Sequence, residues 1–182
     1  MAAPLRAGSP GDGESRKRKN HCDHPTHAAP SVRPYDGRVS RTITQMEAEA
    51  RRAFAFLESE FGCALEEPEH EPWWRRLMYT CNTGSAEIYL DERDETIAVY
   101  VAAAGEQKRP LWAILEARGE RPPETDIDAW AQALRRHGAE ALRGDTAGYS
   151  GVEEAIERRG AELDRFVHDK LDEIRAKRAR RR

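Results

Sequence analysis

The stretch WRRLMYTCNTGSAEIYLDERDETIAVYV, residues 74–101, decides the fold of this chain. Within it, apolar and polar side chains alternate along three runs, which cover residues 77–81, 86–90 and 97–101. Alternation with a period of two is typical of a strand with one buried face and one hydrated face. Turn-forming residues separate the runs. The stretch therefore predicts an antiparallel β-meander, with Ile88 and Val99 on its buried face.

Helical periodicity flanks this meander on both sides. Thr44 and Glu47 are predicted to form a capping box at the start of a first helix. Its apolar face would consist of Met46, Ala50, Phe54, Leu57 and Phe61. Later apolar stripes within 127–142 and 152–174 predict two more helices, whereas PLWAILEARG at 110–119 fits a short helix or a fourth strand. The predicted fold class is α+β, an antiparallel β-meander of three or four strands packed against about three helices.

Charge divides the chain into three predicted parts. Residues 1–43 carry 8 Lys and Arg against 4 Asp and Glu, residues 44–174 carry 16 against 29, and residues 175–182 carry 6 against none, so the net charges are +4, −13 and +6. The first part is rich in Pro, Gly and Ser and is predicted to be a disordered tail. Alternatively, the natural start lies near Met46. The second part is predicted to be an acidic α+β domain, and the third a basic C-terminal tail.

Composition predicts a cytoplasmic protein that does not enter a membrane. The longest apolar run is well short of the ~20 residues that a membrane helix requires, and no secretory signal is recognisable. Arginine outnumbers lysine 25 to 5, a bias that suggests a GC-rich, bacterial genome. In the cytoplasm, Cys22, Cys63 and Cys81 are expected to stay reduced, with a Cys63–Cys81 disulfide as the alternative.

A histidine-rich tract, NHCDHPTH at residues 20–27, offers the metal-binding donors His21, Cys22, His24 and His27. Structural zinc sites usually clamp two separated pairs of ligands. Here all donors lie on one short segment, so we expect at most adventitious metal affinity. No metal site and no cofactor are predicted.

Acidic residues gather near the second turn of the meander, namely Glu87, Asp91, Glu92, Asp94 and Glu95. Acid–base or metal chemistry would need a desolvated member in a cleft, whereas a hairpin tip is hydrated. These carboxylates are therefore predicted to be solvated. His70 and His137 are isolated, and no catalytic motif occurs, so no catalytic residue is nominated.

Trp73, Trp74, Arg75 and Arg76 form the most distinctive cluster of the sequence. Tryptophan and arginine are preferred anchors of protein interfaces, and they also stack on nucleic-acid bases. The four residues are therefore a candidate protein interface. The alternative places one tryptophan in the core and the other over the edge of the sheet.

The order of elements also carries a resemblance. FAFLESEFG, then the meander, then ALRGD before a last charged helix resembles a recurrent type of short bacterial protein, over about residues 46–170. The resemblance implies an α+β fold and no particular activity. VAAAGEQKRPLW, residues 101–112, lacks the longer apolar strand usual for that type, which leaves the strand count open.

Size and charge together favour a protein-binding module. An acidic body with exposed aromatic side chains could neutralise a basic partner, as immunity proteins and antitoxins do. One alternative is non-specific nucleic-acid association through the basic end, formed by Arg175, Lys177, Arg178, Arg180, Arg181 and Arg182. A small enzyme without a recognisable motif is the other. The sequence leaves the oligomeric state open.

Overall fold

The computed structural model describes residues 41–179, which form an α+β fold. Almost all of the tail predicted for residues 1–43 lies outside the described residues. The same is true of the histidine-rich tract at 20–27 and of the last three arginines, 180–182.

The predicted meander is present and lies at the centre of a larger antiparallel sheet. The strands are β1 (Ala64–Leu65), β2 (Glu69–His70), β3 (Trp74–Thr80), β4 (Gly84–Asp91), β5 (Thr96–Ala103) and β6 (Arg109–Pro110). Their order is β1-β3-β4-β5-β6, and β2 also pairs with β3. The expected three or four strands were too few, because β1, β2 and β6 have only two residues each. A strand of that length shows no alternation.

The register of the meander confirms the predicted buried face. Leu77 on β3 lies opposite Ile88 on β4, and Ile88 lies opposite Val99 on β5. All three side chains are at most 1% exposed. The sequence alternation therefore identified correctly which side of each long strand faces the core.

The helices are more numerous than predicted, and all but the last are shorter. They are α1 (Ile43–Ala53), α2 (Phe56–Phe61), α3 (Leu111–Ala117), α4 (Ile127–Ala133), a π-helix (Leu134–Gly138), α5 (Ala139–Leu142), a 3-10 helix (Ala147–Tyr149) and α6 (Val152–Ala179). The ambiguous segment 110–119 is thus mainly helical. The stripe within 127–142 is one helical path that a π-turn interrupts, and α6 continues beyond the predicted stripe into the basic end.

The first helix begins two residues earlier than predicted. Thr42, not Thr44, is the N-cap: its Oγ1 accepts from the Gln45 amide at 3.3 Å, and the Gln45 Oε1 accepts from the Thr42 amide at 2.9 Å. The capping box is therefore T-x-x-Q rather than T-x-x-E. The early start places Ile43 in the core at 5% exposure, and the side chain of Glu92 accepts from its amide.

The first predicted helix is also broken in the middle. The Leu57 amide donates to the Phe54 carbonyl, a tighter i to i−3 turn, and α2 then begins at Phe56. Phe54 and Leu57, on either side of the break, are both fully buried. Gly62 ends α2 with a φ of 64°, a left-handed conformation that glycine adopts without strain.

The core lies between one face of the sheet and the helices. Among the described residues, α1, α3 and α5 contact β3, β4 or β5, and the buried side chains of these elements form one cluster. Gly84 at the start of β4 permits the closest approach, because a Cβ there would lie 2.6 Å from the Ala102 carbonyl oxygen and 2.9 Å from that of Ala141. The side chains on the opposite face of the long strands take no part in this cluster.

Cys63 and Cys81 form a disulfide, contrary to the expectation that they stay reduced. Ala64 on β1 pairs with Thr80 on β3, and continuing that register by one residue places Cys63 opposite Cys81. Their Cα atoms are 4.1 Å apart. The bridge therefore ties the end of α2 to the end of β3.

None of the helices in the described part of the chain combines the length and the apolarity that crossing a bilayer requires.

Candidate protein-binding surface

The four residues of the predicted interface do not form one surface. Successive side chains of a strand point to opposite faces, so Trp74 and Arg76 lie on one face of β3 and Arg75 lies on the other. Trp73 precedes the strand. All four are partly buried, and neither tryptophan is fully exposed.

Arg75 connects the sheet to the first helix. Its Nε donates to Glu47 Oε2 on α1 at 3.2 Å, and its Nη1 donates to the carbonyl oxygens of Glu71 and Trp74. Only 15% of its side chain is exposed. The guanidinium thus joins α1, the start of β3 and the segment before β3.

Trp73 packs against the turn of the β4–β5 hairpin. The guanidinium carbon of Arg93, in the hairpin turn, lies 3.9 Å from the centre of the Trp73 ring. The amide of Glu92 donates to the Trp73 carbonyl at 2.9 Å. This cation–π contact covers the ring from the turn and fixes the turn beside the start of β3.

Trp74 and Arg76 belong to a surface that we call the outer sheet face. It is the side of the three long strands opposite the core, and its large side chains are Trp74, Arg76, Met78, Glu87, Tyr89 and Tyr100. The register places Met78, Glu87 and Tyr100 side by side across the three strands, with Arg76 beside Tyr89. The Tyr89 and Tyr100 rings meet edge to face at 5.6 Å.

Glu87 lies at the centre of the outer sheet face and is 1% exposed. The prediction that it is solvated was wrong, because it lies within β4 and not at the hairpin tip. The Tyr89 hydroxyl donates to its Oε2 at 3.0 Å, the Arg76 Nη2 lies 3.4 Å from its Oε1, and the Lys108 ammonium donates to the same oxygen. Three donors therefore compensate this buried carboxylate.

This arrangement also shifts the pKa values of the tyrosines and the arginine around Glu87. Burial, and then the negative charge of Glu87, raise the pKa of Tyr89 and of Tyr100, so both hydroxyls stay protonated. Burial lowers the pKa of Arg76, but the charges of Glu87 and its neighbours outweigh it and leave that pKa raised. Arg76 also reaches Glu69 on β2 at 2.6 Å. The centre of the outer sheet face is thus balanced in charge.

Carboxylates border this face along the β2 edge and at the hairpin turn. We call them the acidic rim, which consists of Glu66, Glu67, Glu71, Asp91, Asp94 and Glu95. None of them forms an ion pair with another residue in the range 41–179. Glu71 and Glu92 both donate main-chain hydrogen bonds to the Trp73–Trp74 pair, which places edge and turn at the same end of β3. Apart from Glu87, the predicted solvated acids thus lie at the turn or directly beside it.

A second charged group surrounds His137 in the π-helix. Arg118 Nη1 lies 3.0 Å from His137 Nδ1, and Glu120 Oε1 lies 3.1 Å from His137 Nε2. Within residues 41–179 no hydroxyl or thiol side chain hydrogen-bonds to His137. The group joins the end of α3 to the π-helix.

No group of three or more His, Cys, Asp or Glu side chains in the described part of the chain is arranged to hold a metal ion. Comparison of the chain with models of protein families, with curated proteins and with solved structures found no match. The resemblance to a recurrent type of short bacterial protein therefore stays a prediction.

Proposed function

We propose that this protein is a protein-binding module and that its outer sheet face takes a basic protein partner. The observation that carries the proposal is the acidic rim beside a face of aromatic and methionine side chains that takes no part in the core. We place the interaction in a bacterial cytoplasm, as the composition suggests.

The chemistry of the face suits a protein partner. Tyrosine, tryptophan and methionine are enriched where protein interfaces are fully desolvated. The two cations Arg76 and Lys108 pair with the two carboxylates Glu69 and Glu87, so a partner that covers them would cover a group without net charge. The apolar parts of Trp74 and Met78 would then supply contact area.

The rim supplies the selectivity for charge. Six carboxylates without described ion-pair partners attract a cationic surface and raise its association rate, and they repel acidic competitors and nucleic acids. An immunity or antitoxin protein that neutralises a basic toxin needs this kind of surface. That comparison rests on size and charge alone.

The test compares two triple variants with equal net charge. Glu67→Gln, Glu71→Gln and Asp94→Asn remove three exposed rim charges, whereas Glu58→Gln, Asp128→Asn and Glu154→Gln remove three exposed charges elsewhere. Partners are captured on the wild-type chain from its host, identified by mass spectrometry and then purified. We expect a basic protein that the wild type and the control variant bind equally and that the rim variant binds at least about tenfold more weakly in low salt.

Hydrogen exchange then locates the contact on the full chain. Bound partner should slow amide exchange at the β2 edge and at the hairpin turn. Equal binding by both triple variants, or protection confined to the helices, would overturn the proposed surface. Capture of no basic protein, together with turnover of a substrate, would favour the enzyme alternative.

A further inference from the structure

Helix α6 is far longer than the part of it that the fold covers. It has 28 residues, which corresponds to about 42 Å. Its first turns pack on α3, where Val152 and Ala155 are buried and the Arg159 guanidinium lies 4.6 Å from the Trp112 ring centre. From residue 157 to 179, every residue is exposed.

The face that packs on α3 continues along the exposed part of the helix. It carries a set of large apolar side chains that we call the α6 stripe: Leu163, Phe166, Val167, Leu171 and Ile174, which are 37–48% exposed. Their spacing of one to four residues places them on the same side as Val152 and Ile156. Because isolated helices are marginal in water, an uncovered stripe of this kind indicates a missing partner.

We propose that the partner is the α6 helix of a second copy, packed antiparallel on the first. In this pairing Leu163 lies opposite Ile174 of the second copy, and Phe166 lies opposite its Leu171. Each contact then occurs twice about a two-fold axis, as in other homodimers. The pairing therefore covers the stripe of both chains with one self-complementary interface.

The charges beside the stripe select the antiparallel direction. Glu162 and Asp164 flank its first apolar residue, and Arg175 and Lys177 follow its last one. Antiparallel packing brings the two carboxylates of one chain beside the two cations of the other. Parallel packing would bring carboxylates beside carboxylates and cations beside cations.

The ion pairs that Arg175 and Lys177 form within their own helix do not prevent them from pairing with a second chain. Arg175 pairs with Asp172 at 3.2 Å, and Lys177 pairs with Glu173 at 2.6 Å, each within a turn of the same helix. The side chains of both cations are at least 69% exposed. Exposed pairs of this kind contribute little to stability, so the cations are free to turn toward a second chain.

Sedimentation velocity of the full chain over a concentration series tests the dimer. The stripe variant carries Phe166→Gln and Leu171→Gln, and the control carries Arg165→Gln and Asp169→Asn on the opposite side of α6. We expect a concentration-dependent dimer for the wild type and for the control, and a monomer for the stripe variant. Circular dichroism and the midpoint of thermal unfolding check that each variant is folded.

A series of charge reversals tests whether the two α6 helices pack antiparallel or parallel. Glu162→Lys with Asp164→Arg should weaken an antiparallel dimer on the order of tenfold, and adding Arg175→Asp with Lys177→Glu to the same chain should restore it. In a parallel dimer, the first reversal would exchange one like-charge contact for another and would change little. That result would overturn the antiparallel arrangement.

A wild-type chain that stays monomeric at its highest soluble concentration would overturn the second copy as partner. Loss of a different captured protein from the stripe variant would then assign α6 to that protein. The acidic-rim variant should dimerise like the wild type, because none of its three residues lies on α6. The two proposals can therefore fail independently.

Discussion

At the scale of single residues, Glu87 is the charge that the fold compensates most completely. A side-chain carboxylate at 1% exposure has lost its hydration, and several hydrogen-bond donors must replace it. Tyr89, Arg76 and Lys108 supply them from β4 itself, from β3 and from the segment before β6. Glu87 thus links β3, β4 and the segment before β6 through hydrogen bonds on the outer sheet face.

Replacement of Glu87 by alanine should therefore be costly. Arg76 would lose a partly buried partner and Tyr89 an acceptor, so we expect a loss of roughly 2–3 kcal/mol of unfolding free energy. Lys108 is half-exposed and adds little to this figure. The control Asp94→Ala, in the hydrated turn, should change the free energy by less than about 0.5 kcal/mol. Urea unfolding of both variants measures the difference, and equal midpoints would contradict the compensating role of Glu87.

The sequence could assign faces to these residues but not their environment. Alternation correctly placed Leu77, Ile88 and Val99 inward, and it placed Glu87 and Tyr89 on the opposite face. Whether that face is hydrated depends on side chains from distant segments of the sequence. Lys108, for example, is 21 residues from Glu87, and no local pattern encodes such a contact.

At the scale of elements, the main errors of the sequence-based prediction also arise from contacts that no local pattern encodes. The long strands and the stripe within 152–174 have clear periods and were predicted. The two-residue strands depend on main-chain pairing with a neighbour and have no period of their own. Because β1 was not recognised, the register that places Cys63 opposite Cys81 could not be used.

The disulfide makes a prediction that also tests the cellular compartment. It closes a loop with a sequence separation of 18 residues, so replacing both cysteines by serine should cost about 3 kcal/mol of unfolding free energy. Cys22→Ser is the matched control and should leave the free energy unchanged. Alkylation of unreduced protein from the host, read by mass spectrometry, shows whether Cys63 and Cys81 are bridged. Free thiols at both positions would favour the reducing cytoplasm that the sequence predicts.

At the scale of the whole molecule, charge is segregated along the chain. The net charge of −13 over residues 44–174 and +6 over 175–182 follow from the sequence alone. The structure adds that most arginines of the fold are engaged, among them Arg75 with Glu47 and Arg76 with Glu87, whereas the carboxylates of the acidic rim form no ion pair among the described residues. Composition could predict the acidic surplus, but only the folded arrangement shows where it lies.

This segregation decides how the protein should respond to nucleic acid. The cations at the end of α6 can contact several phosphates, and such contacts release counterions, so affinity falls steeply with salt. The acidic body repels phosphate over about one Debye length, ~8 Å at physiological salt. We expect weak binding at low ionic strength, without sequence preference and absent at physiological salt.

Two variants with equal charge loss separate the end of the helix from the body. Arg178→Gln together with glutamines at positions 180–182 should abolish low-salt binding of a labelled duplex, and it keeps the Arg175 and Lys177 of the proposed dimer. The control replaces four exposed arginines of the described chain by glutamine, namely Arg52, Arg136, Arg158 and Arg165. It should leave most of the binding intact, because charges dispersed among carboxylates release few counterions. Fluorescence anisotropy across a salt series measures both variants. Tight, sequence-selective binding at physiological salt that only the helix-end variant loses would make nucleic acid, and not a basic protein, the partner of this molecule.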